Sequence, residues 1–325
     1  LLGAGWIADK FVTSLRAHTT QIPYAVWAPR PLAAAAFAQA HGIPHVHSSV
    51  ADLLAAPDVD VVYVAGPHHS HHELTLAAIA AGKPVVVEKP LALNAAQARE
   101  IAAAASAAGV FVMEALWSVC LPKFDVVRQV LDAGVLGRIH TVTADIGEYF
   151  DRDHRILRRD LAGGPVLDLG TYPVAFATWI LGAPSEVRAL AQPDPSGVLS
   201  QTAAILRYDE GDHAGALALV HASLATATPT AGEISGDLGT LSLDPPFYQP
   251  GGVTLRLRDG CAARYDEPRI AHEGLYFEAV EAARCIAAGL TQSPLRPLAD
   301  SIAMLAVMDE VRRQTGDVFD MEAGG

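Results

Sequence analysis

A six-residue stretch, Val85-Val86-Val87-Glu88-Lys89-Pro90, most constrains what this chain can fold into. Three consecutive valines are typical of a parallel strand that is buried on both faces. Pro90 ends such a strand, because proline has no N–H to donate to a neighbouring strand. Ligands of open α/β sheets bind beyond the carboxyl ends of the strands, so Lys89 is expected to face a ligand crevice. A solvated Glu-Lys pair at a strand end is the alternative interpretation of these six residues alone.

A glycine-rich turn opens the chain, in the run Leu1-Leu2-Gly3-Ala4-Gly5-Trp6-Ile7-Ala8. It predicts the end of a strand followed by a turn into a helix. In such turns the two glycines permit a tight bend and close approach of a pyrophosphate, and a small third residue permits close packing. The candidate cofactor contacts are Gly3, Gly5, Trp6 and Ile7; a glycine turn without a ligand is the alternative. Because the chain begins at Leu1 and not at a methionine, we expect that residues of the first strand precede it.

Strand and helix patterns alternate over about the first 115 residues. Strands are predicted at 24–28, 59–64, 84–88 and 110–113, and helices at 32–41, 71–81 and 95–108. Strands that alternate with helices of this length indicate βαβ units and a parallel sheet. The fold class predicted for this half is therefore α/β, with a Rossmann-type parallel sheet.

The pattern changes after Met113, where strands follow one another with few helices between them. They are predicted at 139–149, 202–208, 215–223, 240–243 and 253–258, with a loop at 192–197 and late helices at 273–288 and 298–315. Such a succession predicts an α+β domain built on an open, largely antiparallel sheet. We place the domains at 1–117 and 118–325, because Leu121-Pro122 interrupts the pattern after Trp117.

The second predicted strand carries the choice of cofactor. A site for NAD normally has an Asp or Glu about 20 residues beyond the glycines, which holds the ribose 2′-hydroxyl. No Asp or Glu occurs between Asp9 and Asp52, and the strand instead ends in Ala28-Pro29-Arg30. The guanidinium of Arg30 can bind a 2′-phosphate through two donors. The sequence therefore favours NADP; the alternative is that Arg30 is an ordinary surface residue and that the protein uses both NAD and NADP.

Four histidines follow the third predicted strand, in the run Pro67-His68-His69-Ser70-His71-His72. A metal site is one interpretation, but no nearby Cys or carboxylate completes a compact ligand set, and we predict no metal. We expect Pro67, His68 and His71 to contact the ribose and phosphates of the cofactor. Simple exposure is the expectation for His69 and His72.

The second half contains one segment rich in chemical groups, Gly163-Gly164-Pro165-Val166-Leu167-Asp168-Leu169-Gly170-Thr171-Tyr172. It predicts one helix that runs on to Leu181, on which Asp168 and Tyr172 share a face because they are four residues apart. A carboxylate and a phenol on an otherwise apolar helix are costly to bury without partners. The alternative is an Asp near a helix N-terminus beside a packed tyrosine.

Charge and cysteine content exclude several classes of partner and site. A formal charge of -13 over 325 residues argues against nucleic acid or an anionic membrane as partner. The three cysteines (Cys120, Cys261 and Cys285) form no metal-ligand pattern and fit a reducing cytoplasm, which is the expected location. No signal peptide is evident, and the longest apolar run, at 101–113, is too short to cross a bilayer.

Four separated motifs resemble those of the Gfo/Idh/MocA oxidoreductases, and they occur in that family's order. They are the glycine turn at 3–8, Glu88-Lys89-Pro90, Met113-Glu114-Ala115-Leu116-Trp117 and Asp168-Leu169-Gly170-Thr171-Tyr172. Trp117 and Tyr172 make the chain most similar to the branch of dimeric dihydrodiol dehydrogenase and glucose–fructose oxidoreductase. The resemblance spans nearly the whole chain and includes Ser293-Pro294-Leu295. Gly66, Arg30 after Ala28-Pro29, and Pro165 depart from the usual family residues.

The resemblance implies hydride transfer between NADP(H) and a hydroxyl or carbonyl carbon of a sugar, polyol or cyclic diol. It implies that Lys89 and Tyr172 form the catalytic pair and that Asp168 orients substrate or cofactor. It also makes Glu88 a cofactor contact, and Trp117, Arg155 and Tyr276 weaker candidates for the substrate pocket. A homodimer or homotetramer formed through the C-terminal sheet is expected.

Two other functions remain possible at this point. One is a regulatory protein that binds NADP without catalysis, although such a sensor has no need of a proton-transfer pair. The other is glycoside cleavage through transient oxidation with tightly held NAD, against which Arg30 and the family branch argue.

Overall fold

A computed structural model of the protein describes residues 1–268, 270 and 274–319. The chain divides into two compact units, each built from two segments. The first unit is Leu1–Cys120 with Ile270–Ser301, and the second is Leu121–Arg269 with Ile302–Gly325. The sequence-based limits of 1–117 and 118–325 do not include this return of the chain to the first unit. They stay a prediction, and their last six residues lie outside the described ones.

The first unit is an α/β layer of short strands, buried except for β2, with helices beside them. Its elements up to Cys120 are α1 (Trp6–His18), β1 (Ala25–Val26), α2 (Pro31–His41), β2 (His45–Val46), α3 (Val50–Ala55), β3 (Val62–Val64), α4 (His71–Ala80), β4 (Val85–Glu88), α5 (Ala95–Ala108) and β5 (Val112–Ala115). All residues of β3, β4 and β5 are buried. For β3 and β4 the valine-rich sequence predicts this, because such runs are typical of a parallel strand covered on both faces.

Leu2 joins the strands of this unit into one parallel sheet. It forms parallel bridges with Trp27, directly after β1, and with Val64 of β3. The remaining pairs, β1 with β2, β3 with β4 and β4 with β5, are also parallel. The spatial order is therefore β2, β1, Leu2, β3, β4, β5, which is the order of a Rossmann sheet and confirms the predicted fold class.

The second unit is built on a large sheet. Its elements are α6 (Pro122–Asp132), β6 (Ile139–Gly147), α7 (Pro165–Asp168), α8 (Thr171–Leu181), β7 (Glu186–Pro193), β8 (Leu199–Arg207), β9 (Leu217–Ser223), β10 (Gly232–Gly236), β11 (Gly239–Leu243), β12 (Val253–Leu257) and β13 (Ala262–Tyr265). Two helices follow: α9 (Tyr276–Ala287) lies in the first unit, and α10 (Leu298–Thr315) begins in the first unit and ends in the second. The predicted start of α9 at Glu273 lies outside the described residues.

The eight strands are ordered β13-β12-β11-β10-β6-β9-β8-β7, and every pair except β6 with β9 is antiparallel. The prediction of a largely antiparallel sheet is thus confirmed. Helix α8 packs against β6 and β9. Residues alternate along the central strands: Ala218, Val220 and Ala222 of β9 are buried, whereas Leu217 and Leu219 are 41% and 42% exposed.

Local signals set the helix ends that the sequence predicted best. Helix α5 begins after Asn94, whose side chain accepts a hydrogen bond from the N–H of Gln97, and it ends at Gly109 in the left-handed conformation. An Asx cap and a C-terminal glycine are strong signals that need no tertiary context. The predicted limits of α5 therefore match the structure, and those of α10 also match it.

The prediction of one helix from 165 to 181 is wrong. The structure has α7 ending at Asp168 and a new helix, α8, beginning at Thr171. The N–H of Gly170 bonds to the carbonyl of Pro165, five residues back, so the regular four-residue ladder is interrupted there. Strands β7, β10 and β13, and the short β2, were not predicted, and the predicted loop at 192–197 begins only after Pro193.

Candidate active site

The glycine turn leads directly into an open helix N-terminus. Gly3 has a φ of +128°, and a Cβ there would lie 2.4 Å from the carbonyl oxygen of Ala65, so only glycine fits. Gly5 precedes α1 and caps it without a side chain, and a Cβ at Gly5 would meet no atom within 4 Å. The N–H groups of the first turn of α1 can therefore be approached closely by an anion. These residues fit the pyrophosphate of a dinucleotide.

Trp6 and Ile7 form the first turn of α1. Trp6 is 69% exposed, and the ammonium of Lys10 lies 4.4 Å from the centre of its ring. Ile7 is half-buried against the core of the first unit. Both residues thus lie beside the open N-terminus, and their contact with a cofactor stays a prediction.

His71 connects two loops at the carboxyl edge of the parallel sheet. Its side chain is fully buried, with Nδ1 2.8 Å from the carbonyl oxygen of Pro90 and Nε2 3.0 Å from that of Gly66. Gly66 follows β3, and Pro90 follows β4. Since Gly3 packs against Ala65, the glycine turn, the loop after β3 and Lys89 all lie along one edge of the sheet.

The other residues of the histidine run differ in exposure. His68 is buried with its ring 5.7 Å from that of His71, whereas Pro67 and His69 are exposed. Nε2 of His72 lies 2.8 Å from a carboxylate oxygen of Glu100. Within the described part of the chain, no three His, Cys, Asp or Glu side chains are grouped to hold a metal ion.

Ser70 accounts for the glycine at position 66. A Cβ on Gly66 would lie 2.3 Å from the hydroxyl oxygen of Ser70, which itself donates to the carbonyl of Pro67. The Ser70 hydroxyl, four residues later, therefore occupies the space that a side chain at position 66 would need. Although Gly66 has no hydroxyl of its own, the segment after β3 still contains that of Ser70.

Glu88 and Lys89 lie at the end of β4, where the valine run predicts them. Glu88 is buried and accepts hydrogen bonds from the hydroxyl of Tyr63 and, at 3.2 Å, from the N–H of Lys89. Lys89 itself is half-buried. The Glu88 carboxylate thus fixes the backbone at the residue that carries the candidate catalytic ammonium.

A second buried carboxyl group, that of Glu278 on α9, was not found from the sequence. It is fully buried, and neither of its oxygens has a hydrogen-bond partner among the described residues. Burial, and then repulsion by Glu88, hold the pKa of Glu278 well above its usual value. The signal that could have identified it, a charged residue on the apolar face of a predicted helix, is weak in a helix with charges on both faces.

Arg30 lies exposed between β1 and α2, where it precedes the first residue of α2. Within the described residues, its side chain makes no hydrogen bond or ion pair. The guanidinium of Arg30, beyond the carboxyl end of β1, can therefore bind an anion there.

Trp117 and Tyr276 lie in different parts of the first unit. Trp117 is buried at the start of the single turn Trp117–Cys120. The N–H of Tyr276 donates to the hydroxyl of Ser14, and its ring stacks on His18, 4.5 Å away. Both contacts are near the C-terminal end of α1, away from the glycine turn. A pocket role for either residue stays a prediction.

Asp168 and Arg155 are brought together in the second unit. The carboxylate of Asp168 is buried and binds the half-exposed guanidinium of Arg155 through two bonds, of 2.8 and 3.2 Å. Gly163 makes this arrangement possible, because a Cβ there would lie 2.5 Å from the carbonyl oxygen of Ile156 in the turn that carries Arg155. Gly170 is likewise required, since its Cβ would lie 2.6 Å from the carbonyl oxygen of Val166.

Tyr172 lies in the first turn of α8 with its ring against Tyr248. The two ring centres are 4.2 Å apart and the planes differ by 19°. The hydroxyl of Tyr248 donates to Glu148 at 3.2 Å and accepts from the side-chain amide of Gln249 at 3.4 Å. Sequence reasoning missed Tyr248, because it lies in a loop without any periodic pattern.

Lys123 holds the loop that carries Tyr248. Its ammonium is fully buried and donates to the carbonyl of Gln249, while its backbone N–H donates to Glu267 at 3.0 Å. Burial lowers the pKa of Lys123 from 10.5 to about 8, although the carboxylates of Glu267 and Asp244 oppose this change. This buried ammonium could not be identified from the sequence, since an isolated Lys in a helix is usually exposed.

Comparisons with known proteins extend over the whole chain. The model of the oxidoreductase family with an NAD-binding Rossmann fold matches residues 1–116. The model of the GFO/IDH/MocA C-terminal domain matches residues 124–242. Trans-1,2-dihydrobenzene-1,2-diol dehydrogenase of Oryctolagus cuniculus is 32% identical over 331 residues, which cover 99% of each chain.

In the described residues no helix is long and apolar enough to span a bilayer.

Solved structures share the fold. KijD10, a 3-ketoreductase from Actinomadura kijaniata in complex with TDP-benzene and NADP, is 26% identical, with a TM-score of 0.81 over 97% of this chain and 96% of that chain. Levoglucosan dehydrogenase, in complex with NADH and levoglucosan, is 19% identical with a TM-score of 0.86 over 97% of this chain and 96% of that one, and supports the fold alone. Because the family models match both halves and a relative matches the full length, this chain belongs to the Gfo/Idh/MocA family of NAD(P)-binding oxidoreductases.

Proposed function

We propose that the protein is an NADP(H)-dependent dehydrogenase or reductase that acts on a hydroxyl or carbonyl carbon of a sugar, polyol or cyclic diol. One observation carries the proposal: the open N-terminus of α1 and the loop after β4 lie at one edge of the parallel sheet. We call this loop, which begins with Lys89 and Pro90, the loop of Lys89. Gly3 packs against Ala65 after β3, and His71 links the loop after β3 to the carbonyl of Pro90. A lysine next to a pyrophosphate site is suited to act on a substrate beside the cofactor. The diol dehydrogenase and ketoreductase relatives support the substrate class.

The proposed chemistry pairs Tyr172 with Lys89. When bound, the nicotinamide accepts or supplies the hydride. Oxidation of an alcohol also releases a proton, so a general base is required. A free phenol, with a pKa of about 10, is a poor base at neutral pH, and a nearby ammonium stabilises its phenolate. We assign Tyr172 as the general acid/base and Lys89 as the group that tunes it and polarises the reacting oxygen.

Asp168 and Arg155 complete the proposed substrate site. The buried Asp168 carboxylate is paired with the guanidinium of Arg155, whose positive charge offsets part of the cost of burying it. Arg155 is half-exposed and keeps donors for a hydroxyl or carbonyl oxygen. We propose that this ion pair orients a polar substrate.

Arg30 carries the proposed preference for NADP. We propose that its exposed guanidinium binds the 2′-phosphate, and that Pro67 and His71 after β3 and Glu88 at the end of β4 contribute to the site. The Arg30→Ala variant is expected to bind NADPH about 10- to 100-fold more weakly, because a charge-assisted pair to a phosphate contributes roughly 1.5–3 kcal/mol. Affinity for NADH should remain within about twofold of wild type, and Arg99→Ala, which removes an exposed arginine of α5, is the matched control.

A screen of sugars, diols and carbonyl compounds with both NADH and NADPH tests the function as a whole. Once a substrate is found, Lys89→Met and Tyr172→Phe should each lower kcat by at least about 100-fold, as removal of an acid–base group does. Tyr149→Phe is the matched control for Tyr172, because Tyr149 is 71% exposed in the same unit. Wild-type turnover by either site variant contradicts the assignment. NADPH binding without turnover of any compound would instead support a regulatory protein.

We also propose that the protein self-associates through the open face of the large sheet. Apolar side chains on that face are solvent-exposed on three neighbouring strands: Leu190, Ile205, Leu217 and Leu219. Ile205 pairs with Leu219 across β8 and β9, so the patch is continuous. Exposed apolar patches are typical of interaction surfaces, which supports the proposal that a second copy of the chain binds here.

A further inference from the structure

Two sequence motifs of the first unit contact each other next to the loop of Lys89. They are Met113-Glu114-Ala115 on β5 and the segment Ser293-Pro294-Leu295-Arg296 before α10. Nε of Arg296 donates to Oε2 of Glu114 at 2.9 Å, and the hydroxyl of Ser301 donates to the same oxygen at 2.6 Å. Glu114 and Arg296 are each 1% exposed. Burial of an ion pair is costly unless its geometry is specific, so this pair needs an explanation beyond packing.

The other oxygen of Glu114 points to the loop of Lys89. Oε1 accepts a hydrogen bond of 2.9 Å from the N–H of Leu91, two residues beyond Lys89. The carbonyl of the same peptide group, that of Pro90, lies 2.8 Å from Nδ1 of His71. The Pro90–Leu91 peptide is therefore held at both of its polar ends, by β5 on one side and by α4 on the other.

We infer that Glu114 is a positioning residue for Lys89: with Arg296 and Ser301 behind it, it fixes the Pro90–Leu91 peptide and so the place of the Lys89 ammonium. The inference rests on the proposed catalytic role of Lys89. The position of a side chain at the end of a strand depends on how firmly the backbone after it is held. A shift of about 1 Å at a catalytic group can cost about 100-fold in rate. The buried pair thus serves the geometry of the reaction as well as the fold.

Glu281 provides a matched control in the same unit. It too is a buried acid, accepting from the hydroxyl of Ser293 at 2.6 Å and from Arg284 at 2.8 Å. Unlike Glu114, it makes no hydrogen bond to the loop of Lys89 among the described residues. A Glu281→Gln variant therefore removes a buried charge from a similar network without touching the Pro90–Leu91 peptide.

The decisive variant is Glu114→Gln. Its amide oxygen is expected to face the Arg296 guanidinium, which turns the amide N–H₂ towards the N–H of Leu91 and replaces an acceptor by a donor. We expect kcat to fall by about 10- to 100-fold with KM for substrate and cofactor within about threefold, because position rather than binding is lost. Glu281→Gln is expected to keep kcat within about twofold. If Glu114→Gln does not fold, Glu114→Asp keeps the charge for Arg296 and withdraws the oxygen from Leu91.

Amide hydrogen exchange at Leu91 gives a readout that does not depend on turnover. We expect this amide to be protected in the wild type, to exchange at least about tenfold faster in Glu114→Gln, and to stay protected in Glu281→Gln. Unchanged exchange at Leu91 in Glu114→Gln overturns the inference, and so does faster exchange with wild-type kcat. Full activity of Lys89→Met would overturn the proposed function instead. The exchange measurement separates the two failures, because it tests the contact of Glu114 with Leu91 without any turnover.

Discussion

The buried ammonium of Lys123 makes the stability of the protein depend on pH in a definite direction. Its pKa is lowered from 10.5 to about 8 because burial penalises the charged form more than Glu267 and Asp244 favour it. Below pH 8 the ammonium is charged in both the folded and the unfolded chain, and the full cost of burial is present. Between pH 8 and 10.5 only the unfolded chain keeps the proton. Stability therefore rises with pH across this window.

The size of the effect follows from the change in pKa. One pH unit corresponds to about 1.4 kcal/mol for a single proton. Lys123 therefore contributes an increase in the free energy of unfolding of about 2 kcal/mol from pH 8 to 9.5, and of about 3 kcal/mol over the whole window. Lys123→Met removes the titrating group while keeping a flexible apolar side chain of similar length.

Urea unfolding of the wild type and of Lys123→Met at several pH values from 7 to 9.5 measures this directly. The wild-type free energy of unfolding minus that of the variant should be constant below pH 7.5 and should rise with pH above 8. Other titrating groups contribute equally to both proteins and cancel in the difference. A difference that does not change with pH, or that falls as pH rises, would refute the argument. A fall would mean that Glu267 and Asp244 outweigh burial.

Two further predictions concern other parts of the chain. Because burial and Glu88 raise the pKa of Glu278, the folded wild type keeps a proton that the unfolded chain loses above about pH 4.3, so its stability falls as pH rises. Glu278→Gln lacks this loss, and its urea midpoint relative to wild type should increase from pH 4.5 to 7; a constant difference contradicts the shift. Leu219→Glu places a charge on the apolar face of β9 and should reduce the mass measured by light scattering to that of a monomer. Leu238→Glu is the control and should not change the mass, because Leu238 is an exposed leucine outside β6–β9. A wild type that is already monomeric at micromolar concentration would contradict the proposed interface.

Much of the architecture could be predicted because its signals are local in the chain. The valine runs of β3 and β4 identify buried parallel strands, and Asn94 and Gly109 set both ends of α5. The break at Gly170 could not be predicted, because it depends on the close approach of Gly170 to the carbonyl of Val166. Strand β10 was missed for a similar reason, since Gly232 and Gly236 have little strand propensity and the strand is stabilised by its neighbours β6 and β11.

The candidate site divides in the same way. The residue types and their order in the sequence determined the family, the Rossmann turn and the candidates Lys89, Asp168 and Tyr172. Only the tertiary structure showed that Arg155 pairs with Asp168, that Tyr248 stacks on Tyr172, and that Lys123 is buried. It alone brought Glu114 to Arg296, 182 residues apart in the chain, and to the N–H of Leu91. The physical reason is that the cost of burying a charge, and the partner that offsets it, depend on where the chain returns in space and leave no periodic trace in the sequence.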